Sequence, residues 1–224
     1  MLVIVADDMT GALDTAAPFA ARGLHAEVAL TVDAVAQTLA AGPDVLSVNL
    51  ASREKSPEYA HRLMGQVTEM MPADVRLFKK VDSRLKGHVS AELDAISYQR
   101  AIVAPAIPAF GRIVRDGHVE GFGVTTPISV AGALGAHAAR SVIIDAVTDG
   151  DLEDALDRAE AEGFEITQMG SQAFLTGALG RSMSPVAGAA IVCATLAGVN
   201  PIEITKRNWL GMVLAAIVCM IILL

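Results

Sequence analysis

Three short polar stretches carry most of the chemistry-bearing side chains in this 224-residue chain. They are Asp7-Asp8-Met9-Thr10, Ser52-Arg53 and Lys79-Lys80-Val81-Asp82-Ser83-Arg84-Leu85-Lys86-Gly87. Together they offer carboxylates, a guanidinium, ammonium groups and hydroxyls. An Arg can hold a carboxylate through paired hydrogen bonds and an Asp can hold hydroxyls, so the mixture suits a small polyhydroxylated acid. An Asp beside such a hydroxyl can also act as base for its phosphorylation, with lysines offsetting charge on the transferring group. Asp8 and Asp82 are the candidates for that base. Each residue alone has a plainer reading. An Asp at a strand end caps helices and forms turns, Arg53 can be a surface ion-pair partner, the lysine-rich run can be a solvated face, and Gly87 can be a turn glycine.

The elements that must position these groups follow from periodicity. Val3-Ile4-Val5-Ala6 is a short apolar run ending at Asp7, and the pattern Leu13, Ala16, Ala17, Ala20 then predicts a helix to about Arg22, capped by Gly23. Residues 26–30, 44–48 and 76–80 read as strands, with a helix over 33–41 and another opened by the Ser56-Pro57 cap. Met64, Met70 and Met71 fit the core-facing end of that helix. Further along, 90–99 reads as a helix, 101–104 as a buried strand, 105–115 as a Pro/Gly-rich loop and 142–145 as a strand. An acidic helix over 151–162 and a last strand over 165–168 follow. Residues 117–140 have poor periodicity and fit either a loop or a loop with a short helix. Strands alternate with helices, which predicts an α/β fold with a parallel sheet flanked by helices on both faces. In such sheets ligands sit outside the carboxyl ends of the strands, where all three polar stretches fall.

The totals exclude several classes. A net charge of −8 argues against a general nucleic-acid binder. The five histidines lack metal-ligand spacing and read mostly as surface residues, and Cys193 and Cys219 build neither a disulfide framework nor a zinc site. No Walker-type glycine-rich loop ending in Lys-Ser/Thr occurs. The opening apolar run lacks the flanks of a signal peptide. Charge is split along the chain: the first 170 residues carry 14 of the 17 bases and 24 of the 25 acids. Two parts are therefore expected, a cytoplasmic α/β domain over 1–170 and a hydrophobic helical tail over 171–224.

The strings Ile4-Val5-Ala6-Asp7-Asp8-Met9-Thr10-Gly11-Ala12-Leu13-Asp14-Thr15, Lys79 to Gly87, and Ala104-Pro105-Ala106-Ile107-Pro108-Ala109-Phe110-Gly111-Arg112 resemble the N-terminal sugar-binding domain of the four-carbon acid sugar kinase family. Asp145-Ala146-Val147-Thr148-Asp149-Gly150-Asp151-Leu152 resembles a later segment of it, so the likeness covers about residues 1–170. The resemblance implies an ATP-dependent kinase for acids such as threonate and erythronate. Residue by residue, it places Asp7, Asp8, Thr10 and Gly11 in the first substrate loop. Ser52 and Arg53 match its Ser-Arg pair, and Lys80, Asp82 and Ser83 its Lys-Val-Asp-Ser motif. Arg84 and Lys86 depart from the usual Thr and Arg. No part of the sequence resembles the family's nucleotide-binding domain. The expectation is a sugar-acid-binding domain inactive alone, using ATP with Mg only if another chain supplies that domain.

The tail has its own signals. Ala190, Ala194 and Gly198 are four apart, a spacing that lets membrane helices approach closely. After Lys206-Arg207, residues 209–224 carry no charge and would reach roughly 24 Å as a helix against a roughly 30 Å bilayer core. All-round apolarity and Trp209 favour a membrane helix over 208–224, anchoring the cytoplasmic domain at the inner membrane. Gly180-Arg181-Ser182-Met183-Ser184-Pro185-Val186 and Asn200-Pro201-Ile202-Glu203-Ile204-Thr205-Lys206-Arg207 also resemble the C-terminal end of an anaerobic C4-dicarboxylate transporter. Two alternatives to a plain enzyme fragment follow, a membrane-tethered binding module or a chain joining remnants of neighbouring kinase and transporter genes.

Overall fold

The computed structural model describes residues 1–72 and 75–161. Its centre is a four-stranded parallel sheet of β1 (Leu2–Ala6), β2 (Ala26–Ala29), β3 (Val45–Asn49) and β4 (Arg76–Lys80), in the order β2-β3-β1-β4. Both faces of β1 are buried. Leu2 and Ile4 pack with Phe19, Val45 and Phe78, while Val3 and Val5 pack with Leu46, Val48, Met64 and Val67. That is why β1 reads as a continuous apolar run rather than an alternating one. The helices covering the sheet are α1 (Met9–Ala21), α2 (Val35–Ala40) and α3 (Pro57–Met70). The Ser47 hydroxyl on β3 donates to the Ala12 carbonyl of α1 at 2.8 Å, fixing that helix to the sheet.

Local chemistry sets the helix ends. Asp8 caps α1 by accepting from the Gly11 amide, and Ser56 caps α3 by accepting from the Tyr59 amide, with Pro57 in its first turn. At the far end of α1, Gly23 takes a φ of +83° just past the cap, as its position in the sequence predicts. Met64 is fully buried, and Met70 and Met71 are half-buried against the same core.

Beyond β4 the architecture departs from an all-parallel sheet. Helix α4 (Val89–Leu93) is five residues long, shorter than the expected 90–99. Strands β5 (Ala101–Val103) and β9 (Ser141–Ile143) form a separate two-stranded parallel sheet. Between them lies an antiparallel sheet of β6 (Arg112–Arg115), β7 (His118–Gly121) and β8 (Ile128–Ser129). This corrects the reading of 105–115 as loop throughout and settles the ambiguous stretch after it. The β6–β7 turn is Asp116-Gly117, with φ of +49° and +69°, the left-handed pair that a two-residue hairpin requires. The Asp145 carboxylate accepts from both turn amides, at 2.8 and 2.9 Å. Helices α5 (Val130–Leu134) and α6 (Asp149–Ala161) complete the described residues. Among these no helix is long and apolar enough to cross a membrane. The strand expected at 165–168 and the tail expected over 171–224 lie outside the described residues.

Candidate functional site

Strand register brings the three polar stretches together. Ala6, the last residue of β1, pairs with Asn49 on one side and Lys80 on the other. The chain therefore leaves β1, β3 and β4 at one level, and Asp7-Asp8, Ser52-Arg53 and the 81–87 loop emerge side by side at the carboxyl edge. The Ser52 and Arg53 amides both donate to the Asp7 carbonyl, at 3.0 and 3.3 Å, stitching the second loop onto the first.

Arg53 is the hub of this edge. Its Nε and Nη2 each donate to the Asp7 carboxylate at 2.8 Å, a paired contact, while Nη1 donates to Asp8 Oδ2 at 2.6 Å. Asp7 is buried, Asp8 is half-buried, and Asp8 Oδ1 accepts from the Gly11 amide at 2.7 Å. The bond to Asp7 raises the Arg53 pKa further above its ordinary value, and the nearby Asp7, Asp8 and Asp82 charges add to this against the opposing effect of burial. The guanidinium is permanently charged, and the carboxylate that it grips is one of the protein's own.

Two glycines allow this close approach. A Cβ on Gly11 would sit 2.7 Å from Asp8 Oδ1, and one on Gly87 would sit 2.7 Å from Asp7 Oδ2. Gly87 also holds a φ of +85°, so it folds the third loop back over the Asp7–Arg53 pair in a conformation that other residues rarely adopt.

The third loop presents Lys80, Asp82 and Ser83. Lys80 Nζ donates to the Val81 carbonyl at 2.6 Å. Burial lowers the Lys80 pKa below the ordinary ammonium value, although Asp7, Asp82 and Asp8 oppose the shift. Burial acts to raise the pKa of Asp82, but the Arg84 and Lys86 amides and the Arg53 and Lys80 charges outweigh it, so Asp82 titrates below the usual carboxylate range. Ser83 accepts from Arg112 Nη1. Thr10 lies exposed in the first turn of α1. Ser52, by contrast, is fully buried, and its hydroxyl donates to Glu92 Oε1 at 2.6 Å.

That last contact belongs to a layer beneath the site that the sequence does not reveal. Glu92 of α4 is 1 % exposed and pairs through Oε2 with Lys79 Nζ at 2.8 Å. Lys79 is thus no part of a solvated face: its side chain lies inside and ties β4 to α4, while Glu92 holds Ser52 next to Arg53. Asp14, one turn further along α1 than Gly11, is a second group that pattern reading passes over. Burial raises its pKa, helped by Asp8 and opposed by Lys80, and its Oδ1 is buried without a hydrogen-bond partner. His137 departs from the surface reading of the histidines: it is buried, with Nε2 2.8 Å from Asp94 and Nδ1 2.7 Å from the Tyr98 hydroxyl. Among the described residues no group of three or more His, Cys, Asp or Glu is placed to hold a metal ion.

Comparison with known proteins places the chain in a family. Residues 2–128 match the family described as the sugar-binding N-terminal domain. A D-threonate kinase of Bordetella bronchiseptica is 38% identical over 123 residues, 51% of this chain and 30% of that protein. This chain therefore spans less than a third of that curated relative's length in the match. A solved domain of unknown function from the same organism, a domain-swapped dimer with bound citrate, superposes with a TM-score of 0.64 at 26% identity, covering 87% of this chain and 56% of that one. Separately, 55 residues are 47% identical to an uncharacterised transporter of Haemophilus influenzae, 25% of this chain and 20% of that protein.

Proposed function

As this chain belongs to the sugar-binding N-terminal domain family, we propose that the edge formed by the Asp7, Arg53 and Lys80 loops binds a four-carbon sugar acid of the threonate and erythronate type. The observation that carries this reading is the Arg53 clamp. One guanidinium fixes two adjacent carboxylates at the strand edge and leaves Asp8 only half-buried. Asp8 and Asp82 accept from ligand hydroxyls, Thr10 and Ser83 add hydroxyls of their own, and Gly11 and Gly87 keep the backbone close enough for contact. Lys80 lies under the ligand as a half-buried donor. Asp7 acts through Arg53, and Ser52 through Glu92, as positioning residues. The D-threonate kinase relative and the citrate held by the Bordetella structure support a small hydroxylated acid as ligand.

In phosphorylation of such an acid, the residue beside the reacting hydroxyl would take its proton. Asp8 and Asp82 are both candidates for that role: Arg53 and the Gly11 amide hold Asp8, and two backbone amides and two cations hold Asp82. The sequence has no Walker-type loop ending in Lys-Ser/Thr. ATP with Mg and the domain that binds them thus enter this reading only as contributions from outside these residues, and no step is routed through them.

Titration calorimetry of D-threonate and D-erythronate into the full chain tests the proposal. Saturable one-to-one binding that Asp8→Asn weakens at least tenfold supports it; heats indistinguishable from dilution for both acids refute it.

The 55-residue likeness to a transporter favours a second reading for the tail, attachment of the domain to the inner membrane through residues 208–224. Fractionation decides it, since recovery of the full chain wholly in the high-speed supernatant would refute attachment.

A further inference from the structure

The Asp7–Arg53 edge poses a problem of charge for the ligand just proposed. Asp7, Asp8 and Asp82 face two cations, Arg53 and Lys80, and every Arg53 donor nitrogen already serves a carboxylate of the protein. This part of the site carries an excess of negative charge. It suits hydroxyls and repels a carboxylate, so the acid end of the ligand needs a receptor elsewhere.

The described residues contain one beside it. Arg112 of β6 donates through Nε and Nη2 to the Phe122 carbonyl, at 3.1 and 2.9 Å, and through Nη1 to the hydroxyl of Ser83. Arg84 donates through Nη1 to the Gly123 carbonyl at 3.2 Å. Both guanidinium groups close on Gly123: a Cβ there would lie 3.3 Å from Arg112 Nη2 and 3.9 Å from Arg84 Nη1, so these two nitrogens are at most about 7.2 Å apart. One oxyanion can bridge such a pair. All the partners of these guanidiniums are neutral, a hydroxyl and two carbonyls, and neither Arg forms a salt bridge among the described residues. The Arg84 amide at the same time donates to Asp82 Oδ2 at 2.9 Å, so the pair adjoins the hydroxyl-binding carboxylates. Gly123 is exposed with a φ of +74°, and without a side chain it leaves the approach to both arginines open.

We infer that Arg84 and Arg112 form the oxyanion subsite of this pocket and receive the carboxylate of the sugar acid, while the hydroxyls turn toward Asp8 and Asp82. The inference rests on the binding proposed above and assigns the ligand's polarity within it. The likeness to the kinase family does not supply it, because Arg84 stands where that family usually has Thr.

The test compares D-threonate with threitol, the four-carbon polyol that lacks the carboxylate, by calorimetry on the full chain and on Arg84→Gln, Arg84→Lys and Arg112→Gln. Charge-assisted hydrogen bonds of this kind predict a loss of roughly ten- to hundredfold in threonate affinity in Arg84→Gln, partial retention in Arg84→Lys and no change for threitol. Arg112→Gln also gives up the bonds to Ser83 and Phe122, so Arg84→Gln, which forfeits a single carbonyl contact, is the deciding variant. Wild-type threonate preference that persists in Arg84→Gln overturns the inference, as does equal wild-type affinity for threitol. Inorganic phosphate binding the wild type more tightly than threonate would make the pair a phosphate site and overturn it too. Absence of binding by any of these compounds refutes the parent proposal instead.

Discussion

Arg53 and Asp7 form a paired contact, Nε to Oδ2 and Nη2 to Oδ1, both at 2.8 Å, across two loops that are 46 residues apart in the chain. The Asp7 side chain is 4% exposed and that of Arg53 21% exposed. Removing the cation strands a buried carboxylate. Arg53→Gln should therefore lower stability by roughly 3 kcal/mol, the low end for breaking a buried pair, given the partial exposure of Arg53. Asp7→Asn combined with Arg53→Gln should recover part of that loss, which urea unfolding of the four chains in the cycle measures. Additive losses would show that the contact is not coupled.

Glu92 and Lys79 make the same argument one layer down, with both side chains almost wholly buried. Glu92→Gln leaves an unpaired ammonium and loosens Ser52, so a loss of roughly 3 kcal/mol is expected. Replacing both partners with apolar residues, Lys79→Met with Glu92→Leu, should be much milder than either single change. Thermal unfolding compares the three, and equal losses in all would contradict the pairing.

Gly87→Ala should both strain the backbone at its φ of +85° and drive a methyl to within 2.7 Å of Asp7 Oδ2. The expected cost is roughly 1–3 kcal/mol, with loss of threonate binding. Gly65→Ala is the control, since a Cβ there meets nothing within 4 Å. It should stabilise α3 by up to about 1 kcal/mol. Similar behaviour of the two variants would contradict the close approach.

The shifted groups set two pH dependences with opposite locations. Asp82 has a folded pKa below its unfolded value, so its contribution is present at neutral pH and is lost as pH falls through the folded value, below about 4. Lys80 has a folded pKa below the ordinary ammonium value of 10.5, so the unfolded chain binds more protons between the two. Stability of the wild type relative to Lys80→Met should therefore rise as pH increases toward 10.5. Urea midpoints at pH 7, 8.5 and 10 read this difference; a flat or falling one would contradict the burial of that ammonium.

Much of this frame is legible in the residues. The run ending at Asp7-Asp8, the Ser56-Pro57 start and the strand over 76–80 announce the sheet edge because local pattern and tertiary burial agree there. The Asp116-Gly117 dipeptide was a hairpin signal available in the sequence, masked by strands only two to four residues long and rich in Arg, His and Glu. Glu92 and Lys79 left no such trace. Their pairing joins a strand to a helix in a separate part of the chain, and nothing local distinguishes a buried Lys from its solvated neighbours. The short α4 has a similar cause: Asp94 and Tyr98, just past its end, bond His137 across some 40 residues, a contact that propensity cannot show.

A crystal structure of the full chain grown with saturating D-threonate tests the central claim most directly. The ligand is expected at the carboxyl edge of β1, β3 and β4, with hydroxyl oxygens within about 3.2 Å of the Asp8 or Asp82 carboxylates. Threonate bound away from these loops, or no bound threonate at saturation, would contradict it.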